Sequence, residues 1–356
     1  MSRGRSLPSI SDGTFSPSVS IVIPTYNEMK VIGKRIENLD SLDYPRARLE
    51  VIFVDGASTD GTPEFVERCQ AEGREYIRVV RQASRQGYNA AIYEGICNAM
   101  SNIVITAEAG SFFDPRAVSI VVRSLARPDI GVVTGKSVLY NPDESLATRL
   151  EAVYRNAHDA MRYAESVIDS TPDMKGELQA FRKEIGLGLR PRETLPDNAF
   201  FDMALSYKAR SLGKRAIFDP DAIFYEYAPT NLRQRLIVQI RRGTGFTGAL
   251  WNFRWMLFNR KFGLFGMLIA PSRLLMLIIF PWVFLVAPFL LLWESLSEPL
   301  LGISLLLVAL VGLVPRRTRY SLISFCLSQI VLAAATLRLL FRKHPQFIGT
   351  VPTARR

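Results

Sequence analysis

Histidine and cysteine are scarce in this chain of 356 residues. Two histidines, His158 and His344, cannot build a His-rich metal centre and leave little room for a Ser-His-Asp triad. Three cysteines, Cys69, Cys97 and Cys326, contain no C-x-x-C pair. A disulfide framework is excluded, and a structural zinc site is disfavoured. Acidic residues nearly vanish from the last third. Residues 231–356 hold 16 Lys and Arg against only Glu294 and Glu298. The first 230 residues hold 28 basic and 31 acidic residues, so the net charge of +11 originates beyond them. Those C-terminal arginines flank long apolar runs. That pattern belongs to a membrane-anchoring region with positive flanks, not to a nucleic-acid groove, and no nucleic-acid partner is expected. Residues 1–18 are rich in Ser, Gly and Pro and lack an apolar stretch of signal-peptide length. They read as a mobile tail, with the chain beginning in the cytosol.

From residue 19 apolar strands alternate with helical spacing. Residues 19–23, 49–54, 76–80 and 103–106 have the length and composition of buried strands; residues 30–42, 62–71 and 88–100 read as helices. The expectation is an α/β fold, with a mostly parallel sheet covered on both faces. Ligands then bind at the carboxyl ends of the strands.

Three apolar runs follow. Residues 274–293 carry no formal charge and reach about 30 Å as a helix, enough to span a bilayer. Residues 320–337 are adequate, and the shorter run 299–314 reaches about 24 Å. A short run spans if the bilayer thins around it, so three crossings are favoured over two. Between the halves, residues 231–260 mix Trp251, Trp255, Phe246 and Phe258 with arginines, the composition of helices lying in a membrane interface.

The first strand ends in Pro24-Thr25-Tyr26-Asn27-Glu28, and the second in Asp55-Gly56-Ala57-Ser58-Thr59-Asp60-Gly61-Thr62. Carboxylates at two such strand ends can hold the hydroxyls and base edge of a nucleotide, because each accepts two hydrogen bonds. Ser and Asp also cap helices, which accounts for Thr59 or Asp60 but not for the matching segment one strand earlier.

These paired segments resemble the family 2 glycosyltransferases with their GT-A nucleotide-sugar fold. The resemblance implies that Pro24, Thr25, Tyr26, Asn27, Glu28, Asp55, Ser58, Asp60 and Arg85 serve the donor. It implies UDP- or GDP-linked sugars as donors. A DxD motif is expected after the fourth strand, holding Mg²⁺ or Mn²⁺ on the diphosphate; here Glu-Ala-Gly stands there, and Glu108 is the single candidate ligand. Gly176 resembles the glycine that abuts the acceptor. Asp202 lies eleven residues before Gly213, the spacing of the family's catalytic base, with Asp197 as the alternative and Phe201 in place of a partner acid. Gln239, Arg241 and Arg242 resemble a Q-x-x-R-W segment gripping diphosphate and acceptor, with Gly243 in place of Trp.

The resulting expectation is a flexible tail (1–18), a GT-A domain (19–230), interfacial amphipathic helices (231–262), and a transmembrane region with a basic tail (263–356). The enzyme would sit in the cell membrane with its catalytic domain on the cytoplasmic face. It would pass a sugar, with inversion, to a membrane lipid or glycan acceptor. The degenerate motifs leave a second possibility, a non-catalytic relative that binds a nucleotide sugar or a partner subunit. Oligomeric state is not legible.

Overall fold

The computed structural model describes residues 16–195, 199–295 and 316–341. Strand β1 (Val19–Thr25) is apolar along its whole length because both its faces are covered. Ile21 and Ile23 enter one core cluster and Val22 the other. β2 (Leu49–Asp55) repeats the pattern, with Val51 and Phe53 on one side and Ile52 and Val54 on the other. With α1 (Met29–Asp40), α2 (Thr62–Ala71), β3 (Ile77–Arg81), α3 (Tyr88–Asn98) and β4 (Ile103–Ala107), they build a parallel block ordered β3-β2-β1-β4. The expected elements fall within about two residues of these. β1 continues through Pro24, because Thr25 pairs in register with Asp55.

Beyond β4 the sheet departs from the mostly parallel expectation. The chain adds β5 (Phe112–Phe113), α4 (Ala117–Leu125), β6 (Ile130–Leu139), α5 (Leu146–Ile168), β7 (Leu178–Arg182), α6 (Lys183–Leu187), α7 (Phe201–Ser211) and β8 (Arg215–Glu226). The eight strands run in the order β3-β2-β1-β4-β7-β6-β8-β5. β7 is antiparallel to both β4 and β6. Its amino end therefore meets the carboxyl end of β4, with Ala107 opposite Leu178. β6 and β8 end together, Leu139 opposite Glu226. One edge of the sheet thus collects the residues that follow β1, β2, β4, β6 and β8 and those that precede β7.

Helix α8 (Leu232–Asn252) closes this edge. Asn231 caps it by accepting from the amides of Arg233 and Gln234. The first two-thirds of α8 pack inward instead of lying free: Arg235, Gln239, Gly243, Thr244, Gly245 and Thr247 are buried. The clamp is Glu151 of α5, which is 2% exposed. It accepts from Arg155, Arg235, Gln239 and Arg242, each at 3.1 Å. Burial raises its pKa, but Arg155, Arg242 and Arg235 outweigh that and hold it at about 2.

Among the described residues two helices are long and apolar enough to cross a membrane, Phe265–Leu290 and Thr318–Arg338. The first overlaps the expected span 274–293 and starts nine residues earlier; the second contains residues 320–337. The run 299–314 lies outside the described residues, as do residues 1–15 and 342–356. The helix Arg316–Leu340 packs along α8, where a Cβ added to Gly243 would come within 3.0 Å of Ala335.

Removing one partner of a buried ion network leaves the others uncompensated, at about 3–5 kcal/mol. Glu151→Ala would leave three guanidinium groups facing one another, and its thermal midpoint should drop accordingly. The depressed pKa also fixes a direction. The stability contributed by Glu151 is present above its ordinary value of about 4.5 and is lost as pH falls toward 2. The gap between wild type and Glu151→Ala should therefore narrow on acidification; a gap constant from pH 7 to pH 3 would refute the assignment.

Candidate active site

A cavity of about 890 Å³ opens at the sheet edge just described. At one end Pro24, Thr25, Tyr26, Glu28, Gly56, Gln82 and Arg85 form the wall. The Arg85 guanidinium lies 4.0 Å over the ring of Tyr26, which makes a flat, cationic shelf suited to an anionic ligand with an aromatic base.

Behind that shelf the two loops interlock. Asp55 accepts from the Ser58 amide (2.9 Å), the Ser58 hydroxyl (2.6 Å) and the Thr25 hydroxyl (3.3 Å). The Asn27 amide donates to Ser58 Oγ, and the Thr59 amide donates to Asn27 Oδ1, both at 2.9 Å. Asn27 adopts φ 54°, a left-handed conformation that Asn tolerates. Asp60 accepts from the amides of Met29 and Thr62 and from the Thr62 hydroxyl. Asn27, Asp55, Ser58 and Asp60, expected at the donor, stand behind the cavity wall, and each makes a hydrogen bond that ties one loop to the other. Pro24, Thr25, Tyr26, Glu28 and Arg85 do reach the cavity.

In the middle of the cavity Glu108, Tyr88, Glu177, Asp202, Arg241 and Arg242 converge. Asp202 sits in the first turn of α7. Its backbone carbonyl accepts from Gln179 of β7 at 2.9 Å, and the preceding loop is held by Asn89, which donates to the Ala199 carbonyl. Burial, followed by the nearby Glu177, pushes Asp202 up to about 7, against the amides of Met203 and Gly176. A carboxylate in that range can take a proton at neutral pH. Phe201 turns the other way and packs against Phe181 in the core, so no second acid stands beside Asp202 on the helix. Asp197 lies outside the described residues.

Gly176 lies behind this group and is not in the cavity wall. A Cβ there would come 2.8 Å from the Tyr88 hydroxyl and 3.5 Å from Asp202 Oδ2. The glycine, expected beside the acceptor, therefore leaves room for Asp202 and Tyr88. Gln239, expected at the diphosphate, is buried, and its amide donates to Glu151. Arg242 reaches the cavity but is paired with Glu151 and, at 3.5 Å, with Glu177. Arg241 faces the cavity and forms no ion pair with a described residue.

Glu108 projects into the open space. Its pKa is raised by the protein enclosure, then by Glu177 and Glu226, against Arg241 and Arg242. Water in the cavity softens the enclosure; the crowding of carboxylates is the part that a cation would relieve. Among the described residues no group of three or more His, Cys, Asp or Glu side chains is placed to hold a metal ion. Glu108 fits a hard divalent ion as one oxygen ligand, with the remaining positions left to phosphate and water.

Sequence reasoning missed Glu151, Arg155, Lys175 and Glu226. Glu151 and Arg155 stand four residues apart on one helix, a spacing that reads as a solvated surface pair. Lys175 lines the cavity, and burial, with Arg162 and Arg155, lowers its pKa to about 7. Tyr88 was noted only as the place where the resembling family often has Lys. Its phenol, partly buried in the cavity wall near Glu108 and Asp202, is held well above the usual pKa by desolvation and by those carboxylates and stays neutral.

Residues 20–186 match the family model described as glycosyl transferase family 2. The chain is similar to a mannosyltransferase from Pyrobaculum calidifontis solved in complex with GDP-Man and Mn²⁺: 27% identity, a TM-score of 0.74, and coverage of 93% of this chain and 89% of that one. It is 27% identical over 223 residues to the probable glycosyltransferase YdaM of Bacillus subtilis (strain 168), covering 60% of this chain and 51% of that protein. It is 30% identical over 135 residues to the beta-monoglucosyldiacylglycerol synthase of Synechocystis sp. (strain ATCC 27184 / PCC 6803 / Kazusa), covering 37% of this chain and 28% of that protein. The chain thus spans about half the length of the first of these two relatives and less of the second. Residues 20–186, which run from β1 past β7, thus form a family 2 glycosyltransferase domain, and the sheet as a whole has the GT-A fold, with apolar helices after it.

Proposed function

We propose that the protein transfers a sugar from a UDP- or GDP-linked donor to a lipid-linked or glycan acceptor at a membrane, with inversion at the anomeric carbon. The observation that carries this reading is Asp202, a carboxyl poised near neutral pH in the wall of a cavity whose other end is built for a nucleotide. The acceptor hydroxyl gives its proton to Asp202 as its oxygen bonds to the anomeric carbon. The bond from that carbon to the diphosphate breaks, and the nucleoside diphosphate leaves with the electron pair. Arg241, which has no ion-pair partner among the described residues, offsets the charge that develops on the leaving group. A divalent ion bound by Glu108 and the diphosphate would add positive charge at the same place.

The membrane side of the reading is supported by the two apolar helices and by an exposed aromatic strip. Trp251, Trp255 and Phe258 are 54%, 52% and 66% exposed beside Arg254, Arg260 and Lys261. Arg254 lies 5.1 Å over the Trp251 ring. Aromatic rings among basic residues suit the headgroup layer of a membrane. The cytoplasmic face, where nucleotide sugars are made, is the side we assign to the domain. The relative named as a glycolipid synthase favours a lipid acceptor.

Asp202→Asn should bind nucleoside diphosphate within about twofold of wild type, yet lose a hundredfold or more in transfer rate. Because the base must be ionised, wild-type kcat should fall as pH drops through about 7, approaching tenfold per pH unit below it. Stability should move oppositely. A carboxyl whose pKa is raised on folding favours the folded state at low pH, and that contribution is lost as pH rises through about 7. Asp202→Asn should therefore melt higher than wild type at pH 8 and close to it at pH 4. Full transfer by Asp202→Asn, with loss in Asp197→Asn, would move the base to Asp197.

Metal dependence gives a separate check. EDTA should lower the rate of the wild type, and Glu108→Ala should raise the Mn²⁺ concentration for half-maximal rate by about tenfold or more. An unchanged Mn²⁺ titration curve would make Glu108 a bystander.

A further inference from the structure

Arg273 is the single formal charge between Lys261 and Glu294. An arginine in an apolar helix is costly at the centre of a bilayer, so it stays only where something receives it. Here the helix carries it away from lipid. The side chain is 2% exposed and is docked on the catalytic domain. Its Nε and Nη2 donate to the two carboxylate oxygens of Glu165 on α5, at 2.9 and 2.7 Å. Its Nη1 lies 4.0 Å from Asp173 Oδ2 and has no hydrogen bond. The helix is irregular on both sides of it, with wide π turns at Phe265–Ile269 and Leu275–Ile279. Such turns shift the register of a helix and cluster at functional sites.

The partners of Arg273 lead to the active site. Glu165 also accepts from the Thr171 hydroxyl at 2.7 Å. Asp173 is wholly buried, holds Arg162 Nη2 at 2.8 Å and lies 2.8 Å from His158 Nδ1. The next four residues are Met174, Lys175, Gly176 and Glu177. Three of them line the cavity, and Gly176 sits against Asp202 and Tyr88. A void of about 10 Å³, room for one water at most, separates Arg273 and Leu277 from Pro172 and from Met203, the neighbour of Asp202. Stability alone is a poor reason for this arrangement, since well-packed apolar residues often replace a buried ion pair without loss.

We propose that Arg273 is a positioning residue: it fixes residues 171–177 against the base, so the first apolar helix is a working part of the active site as well as an anchor. The catalytic half of this statement rests on the transferase reading; the structural half does not. The test uses full-length protein in lipid nanodiscs, with Arg273→Met, Arg273→Lys and, should Arg273→Met fail to fold, Glu165→Gln. Hydrogen exchange is read at the amides of residues 173–177 and, as control, of β1 and β2. Transfer kcat and nucleoside-diphosphate affinity are read beside it. Arg273→Met should speed exchange tenfold or more at 173–177 only. It should lower kcat tenfold or more and leave nucleotide affinity within twofold. Arg273→Lys, which keeps the charge but not the two-point contact, should recover part of both losses. Glu165→Gln should speed exchange at 173–177 by several-fold. Unchanged exchange at 173–177 overturns the proposal whatever the activity. Faster exchange with unchanged kcat overturns its catalytic half, and a wild type that shows the exchange difference without any transfer counts against the transferase reading instead.

Discussion

A single buried carboxylate holds the two halves of the site together. Glu151 comes from α5, inside the sheet domain, while three of its four hydrogen-bond donors, Arg235, Gln239 and Arg242, come from α8. Without that anion, α8 would bring two like charges and an amide to a dry surface, which costs several kcal/mol. With it, α8 becomes the roof of the cavity. Arg242 bridges Glu151 and Glu177, and Arg241 is left facing the ligand space. The fourth donor, Arg155, extends the network to Glu226 and Ser137 at the far end of the same edge.

The reversal of β7 does the rest. In a wholly parallel sheet the residues before a strand lie at the opposite edge from the residues after its neighbour. Because β7 runs against β4, Gly176 and Glu177 arrive beside Glu108, and Gln179 reaches the backbone of Asp202. Burial and the nearby Glu177 raise the pKa of both Asp202 and Glu108, which suits the proposed base and the proposed cation ligand in different ways. Asp202 gains proton affinity near neutrality. Glu108 gains a reason to share its charge with a cation.

The parallel block was legible in the sequence because each of its strands is covered on both faces, so apolar runs and strand lengths coincide. Asp202 was legible through its spacing to Gly213, and α7 places it in the cavity wall. The interlocking of the two loops was not legible: Asn27, Asp55, Ser58 and Asp60 stand at strand ends where a ligand could use them, and nothing in their order tells that each bonds across to the other loop. The buried network of α5 was not legible at all. Glu151 and Arg155 have the spacing of a surface pair, and only the arrival of α8, more than 80 residues later, turns that face inward. The reversal of β7 left no mark either, since an antiparallel strand in a covered sheet looks like a parallel one.

Gly243 shows what the missing tryptophan means. A Cβ at this position would already crowd Ala335, and two residues on, a Cβ at Gly245 would meet the ring of Phe200 at 2.5 Å. α8 is flattened there by Gly243, Thr244, Gly245, Thr247, Gly248 and Ala249, all buried. Small residues let backbones approach, and the space thus opened is filled by the helix Arg316–Leu340 and by the loop leading into Asp202. A tryptophan would need the volume those elements occupy. The departure from the family pattern is therefore a substitution of one packing partner for another: the helix Arg316–Leu340 packs against α8 at Gly243, where the pattern has a tryptophan, while the helix before it docks on α5 through Arg273.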